Sequence, residues 1–85
     1  MVYENDKRSK DRHSIEITNR SNEPMTIYVE PWGNEIRLLS TESVRVDIIG
    51  PFRAAIPVSY IGSAIIVEGW EGTFAEVWRG SERLN

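Results

Sequence analysis

"MTIYVEPWGNEIRLL", residues 25–39, decides the fold class. Met25, Ile27 and Val29 alternate with Thr26, Tyr28 and Glu30. That is a period of two rather than 3.6, so one side of an extended strand is apolar. The alternation breaks at Pro31-Trp32-Gly33-Asn34, a cluster of turn formers, and resumes with Ile36 and Leu38 around Arg37. The local reading is strand, turn, strand.

The same period recurs on both sides of this stretch. Ile15 and Ile17 show it, as do Val44, Val46 and Ile48, then Ile56, Val58 and Tyr60, then Ile65 and Val67, and last Ala75 and Val77. Turn signals separate these runs at 19–24, 40–43, 50–52, 61–63 and 71–72. No stretch longer than a turn carries an apolar helical face. About seven short β-branched strands at this spacing predict an all-β domain, a single small antiparallel Greek-key β-sandwich, with a small β-barrel as the alternative. The expected core is the inward half of those alternations, including Met25, Ile56 and Val58. Pro57 cannot donate to a ladder, so its strand should lie at an edge, where the proline could block strand addition. "VEGWEGTFAEVW", residues 67–78, reads as a hairpin turned by Glu71-Gly72, with Gly72 at positive φ.

Eighty-five residues hold one core. Residues 1–12 read as a flexible charged arm and residues 13–85 as the β-domain. Lys7, Arg8, Lys10 and Arg12 against Asp11 give the arm's basic end a charge of +3, whereas six arginines face ten carboxylates from His13 onward. An acidic body argues against nucleic acid, which needs clustered positive charge. The first residues carry no apolar signal-peptide run, and Ala64-Ile65-Ile66-Val67 is far too short to span a membrane. With cysteine absent, a reduced, cytoplasmic setting is expected. Asn19-Arg20-Ser21 matches a glycosylation acceptor, but has no secretory context to support it.

Chemistry finds little to work with. A single histidine, His13, and no cysteine leave a copper or zinc site without ligands, so no metal or cofactor is expected. The chain has no G-x-S-x-G, P-loop or G-x-G-x-x-G. Glu30 with Glu35 could serve a glycoside hydrolase, but glutamates also belong on the solvent side of any strand. No catalytic residue is expected, and the domain is read as no enzyme. The aromatics are more informative. By strand parity Tyr28 and Trp78 point outward, and Trp32 either caps the core or is displayed. With Trp70, Arg37 and Arg79 they suit an aromatic–arginine contact surface, since Trp, Tyr and Arg dominate binding hot spots.

The order of "NRS", "MTIYVEPWG", "EIRLL", "ESVRV" and "FAEVWRGSERL" resembles small uncharacterised bacterial domains. In those, an E-P-W-G element precedes a short hairpin and the end reads V-W-x-x-G. Here Glu30-Pro31-Trp32-Gly33 carries the match, while Gly80 directly follows Arg79. The resemblance implies a cupredoxin-like or immunoglobulin-like sandwich, without copper, and no activity. The expected function is a small binding or accessory module that contacts another protein through Tyr28, Trp32, Arg37, Trp70, Trp78 and Arg79. Self-association through the Pro57 edge strand is a second route. A carbohydrate or small-ligand domain using stacked tryptophans is the alternative.

Overall fold

The computed structural model describes residues 11–85, and their regular structure is entirely β. The strands are β1 (Arg12–Thr18), β2 (Met25–Glu30), β3 (Asn34–Leu38), β4 (Ser43–Ile49), β5 (Val58–Ile61), β6 (Ala64–Glu68), β7 (Phe74–Arg79) and β8 (Glu82–Arg83). They form two four-stranded sheets, the first in the order β1-β4-β7-β8 and the second in the order β3-β2-β6-β5. Neither sheet closes on itself, so the domain is a β-sandwich and not a barrel. The charged arm expected over residues 1–12 falls mostly outside the described residues. Its last member, Arg12, belongs to β1.

The quoted stretch folds as read, with Met25 opposite Leu38 and Ile27 opposite Ile36 in an antiparallel hairpin. Two expectations are corrected. The sheets are not uniformly antiparallel, because β2 and β6 run parallel, Ile27 beside Ile65 and Val29 beside Val67. Residues 67–78 do not form a hairpin. Both sides of β6 are already taken, by β2 and by β5, so β7 has no free ladder there and pairs with β4 in the other sheet. The segment between β6 and β7 is a crossover, in which Gly72 does take a positive φ of 87°.

The core lies where the inward stripes meet. Ile27, Val29, Leu38, Val46, Ile48, Val67 and Val77 are all fully enclosed. Ile15, Ile17, Ile56 and Ile65 pack against this cluster but stay half-buried. Val58, expected inside, is 52% exposed.

Asn19 carries a structural load that its neighbourhood in sequence does not announce. Its side chain is fully enclosed and donates to the carbonyls of Leu38 (3.0 Å) and Glu23 (2.8 Å). It also accepts from the Ser21 amide (2.9 Å). Its backbone N–H donates to Glu42 (2.9 Å), which knots the β1–β2 loop to the β3–β4 loop. An asparagine so enclosed offers no amide for glycosylation in the folded domain. Asn19→Ala would remove the buried side-chain bonds that tie the β1–β2 loop to the Leu38 carbonyl and to Ser21. The expected loss is about 2–3 kcal/mol, read as a lower urea midpoint at unchanged m-value.

Candidate binding surface

The outer face of the first sheet carries an ionic ladder. Asp47, on the central strand β4, lies opposite Ser14 of β1 and Glu76 of β7. Arg12 reaches over it to bridge both acids, 2.6 Å from Asp47 Oδ2 and 3.1 Å from Glu76 Oε1. Ser14 (2.7 Å) and Arg45 (3.0 Å) also donate to Asp47, so an outward position is fully enclosed. Burial pushes the Asp47 carboxyl up, but the hydrogen bonds from Ser14, Arg45 and Arg12 outweigh it and hold the group below the usual carboxylate range. Glu76 is likewise held low, mainly by the hydrogen bond from Arg12. Trp78 joins this ladder. Its Nε1–H donates to Glu76 (3.2 Å), and the Arg45 guanidinium lies 5.6 Å from its ring centre. A shallow groove of about 390 Å³ runs beside it, lined in part by Ser14, Glu16, Ser43 and Arg45. Arg12, Ser14 and Arg45 converge on Asp47, and Arg12 and Trp78 on Glu76, so the ladder ties β1 to β4 and β7.

The six side chains expected to form one surface are spread over four places. Tyr28 and Arg37 lie on the outer face of the second sheet, opposite Glu35 and Thr26. Trp78 is on the opposite outer face. Parity was right for both aromatics, which are half-buried and point away from the core. It could not say that they belong to different sheets. Arg79 turns toward the second sheet, donating to the Arg37 carbonyl (3.1 Å) and lying 3.6 Å from Glu42.

Trp32 and Trp70 share one end of the sandwich. Trp32 lies across Gly69 so closely that a Cβ there would sit 2.2 Å from the ring, yet the side chain remains 37% exposed. Trp70 packs on the core and donates to the Pro51 carbonyl (3.0 Å). His13 stands between Trp70 and Phe52, with ring centres 5.6 and 5.9 Å away, and Arg53 lies over Trp70 at 5.6 Å. The rings of Trp70 and Trp78 are thus each covered by an arginine, in separate places. That arrangement suits stacking on a sugar poorly. Glu30 has Glu68 as its ladder neighbour, and Glu35 faces Tyr28, so the proposed hydrolytic pair is not assembled on one rung.

The least expected feature is β5. Partners across a ladder point to the same side. Val58 opposes Val67 and Tyr60 opposes Ile65, so both face the core side of their sheet. They are nonetheless 52% and 71% exposed. The reason is how the two sheets close. Asn85 reaches Asn34 at the start of β3 (3.3 Å), and with the Arg79–Arg37 contact this laces the β8 edge to the β3 edge. The opposite side, bounded by β1 and β5, is left open by the described residues, and there the inward residues His13, Ile15 and Ile17 are only half-buried.

Seven large apolar side chains are exposed among the described residues, and four of them (Phe52, Val58, Tyr60 and Ile61) fall within residues 52–61. Among the described residues, nothing pairs with the outer backbone edge of β5 either. The Glu68 N–H donates to the Pro57 carbonyl (3.0 Å), so across that trans peptide the Val58 N–H points away from β6. By alternation the N–H and C=O of Val58 and of Tyr60 line the outer edge. The missing N–H of Pro57 faces β6 instead. The proline therefore marks an edge strand, as expected, without blocking it.

A sequence signal for this surface does exist. Residues 54–67, fourteen in a row, contain no charge, the longest such run in the chain. The chain matches no protein-family model, no curated protein and no solved structure.

Proposed function

We propose that this domain is a small protein-binding module whose contact surface is the open side of the sandwich along β5. The observation that carries the reading is the exposure of Val58 and Tyr60 at core-facing positions of an uncovered edge. The other three edge strands each carry charge: Arg12 and Glu16 on β1, Glu35 and Arg37 on β3, Glu82 and Arg83 on β8. Such charges keep an edge solvated and discourage pairing. β5, "VSYI", carries none. Phe52, 73% exposed on the connection leading into β5, extends the apolar surface. Trp32 and Trp70 lie at the end of the sandwich where that connection starts, so two of the six expected contact residues fit this placement. Cytoplasmic residence, a bacterial source and kinship with the cupredoxin-like E-P-W-G domains belong to the same proposal, and add a setting without an activity.

A photoreactive benzophenone side chain placed at Tyr60, and separately at Glu82, tests this in cells expressing the full chain. The expected result is a covalent polypeptide adduct at position 60 that is at least several-fold stronger than at 82. Equal labelling at the two positions, or none at 60, would remove β5 as the contact surface.

A further inference from the structure

We infer that the partner is a second copy of this chain, added antiparallel to β5 about a two-fold axis at Ser59. The inference rests on the β5 reading above and names the occupant. The outward backbone groups are the N–H and C=O of Val58 and of Tyr60. A two-fold axis at Ser59 sets Val58 opposite the partner subunit's Tyr60, and Tyr60 opposite the partner subunit's Val58. Each pair then exchanges both backbone hydrogen bonds, and none of these groups is left over. On the core-facing side the same register makes two aromatic–β-branched pairs, which are among the stabilising cross-strand combinations.

Competing registers are worse. A slip by one residue puts core-facing side chains against outer-face ones. Moving the axis to Tyr60 sets Val58 against Gly62, which leaves the strand at a φ of 56°. Moving it to Val58 sets Tyr60 against Ile56, which precedes the strand and packs on the core. Charge points the same way. β5 is neutral, so its copy meets no like charge, whereas every other edge carries charged side chains. Pairing would join the two second sheets into one continuous sheet and cover Val58 and Tyr60 on both copies.

The test uses the purified full chain. With so short a strand the contact is at the small end of specific interfaces, and half-dimerisation is expected at about 10–100 µM. Sedimentation velocity between about 5 µM and 1 mM reads the equilibrium. Ser59→Lys and Ser59→Glu each place like charges face to face at the axis, at an exposed position that leaves the fold intact. Each variant alone should dimerise several-fold more weakly than the wild type, and an equimolar mixture should recover at least the wild-type affinity. A monomeric wild type, or a Ser59→Lys protein that dimerises as the wild type does, overturns the inference. If the wild type is monomeric while position 60 still captures another polypeptide, the binding-module reading stands and only the identity of the partner falls.

Discussion

Asp47→Ala is expected to lower stability by about 2–4 kcal/mol and the melting temperature by on the order of 10–20 °C. The carboxylate is fully enclosed and takes hydrogen bonds from Arg12, Ser14 and Arg45, two of them from β1. Removing it takes away the side-chain anchors that Arg12 and Ser14 give β1 on β4, leaving the backbone ladder alone. The loss stops short of the full cost of a buried ion pair because Arg12 and Arg45 are about half-exposed and can return to water. The pH dependence follows from the same contacts. Asp47 and Glu76 titrate lower in the folded state than in the unfolded chain. Their contribution is therefore complete above ordinary carboxylate values, about pH 4–5, and fades as pH falls through the lower folded-state values. Arg12, held higher than usual by the same acids, stays charged throughout. Urea midpoints of the wild type and Asp47→Asn should differ most at neutral pH and converge in acid. A constant gap down to about pH 2 would show that the carboxylate charge is not what holds β1.

Gly50→Ala is expected to be at least as damaging, at about 3–5 kcal/mol. The residue sits at the end of β4 with a φ of 147°, and a Cβ there would lie 2.7 Å from the Gly72 carbonyl oxygen and 3.0 Å from Thr73 Cα. Both obstacles are backbone, so no side chain can swing aside. Gly72→Ala suffers from its φ of 87°, but its Cβ would meet only the Pro51 ring, Cγ at 3.1 Å and Cδ at 3.4 Å, so about 1–2 kcal/mol is expected. Gly62, with nothing within 4 Å of its added Cβ, bears strain alone. Thermal melts of the three variants should rank Gly50 worst and Gly62 mildest. If Gly50→Ala melts no lower than Gly72→Ala, the close approach of β4 to the crossover is not the rigid contact described.

Period two shows which side of a strand is apolar, and that was enough to find the first seven strands, though not the two-residue β8, together with the Pro31–Asn34 turn, the outward Tyr28 and Trp78, and the edge near Pro57. It cannot say which sheet a strand joins. Val67 and Val77 both read as inward, yet they come from opposite sheets, which is why the 67–78 hairpin failed. Asp47 alternates like any solvent-facing residue, and Arg12 and Ser14, thirty-five and thirty-three positions away in sequence, help to enclose it. Val58 alternates like a core residue and is uncovered because the sandwich is laced along its other side by Asn85 and Arg79. The binding surface was legible only as an uncharged stretch, whose meaning depends on β5 being an edge.

Amide hydrogen exchange resolved by NMR, at high dilution and at about 1 mM, tests the open β5 edge most directly. The amides of Val58 and Tyr60 should exchange quickly in the dilute protein, while those of Ser59 and Ile61, directed at β6, exchange slowly. At high concentration Val58 and Tyr60 should become protected, and the edges at β1 and β3 should not change. Protection of Val58 and Tyr60 already in the dilute monomer would mean that the chain covers this edge itself, contradicting both the open side and the partner it is built to receive.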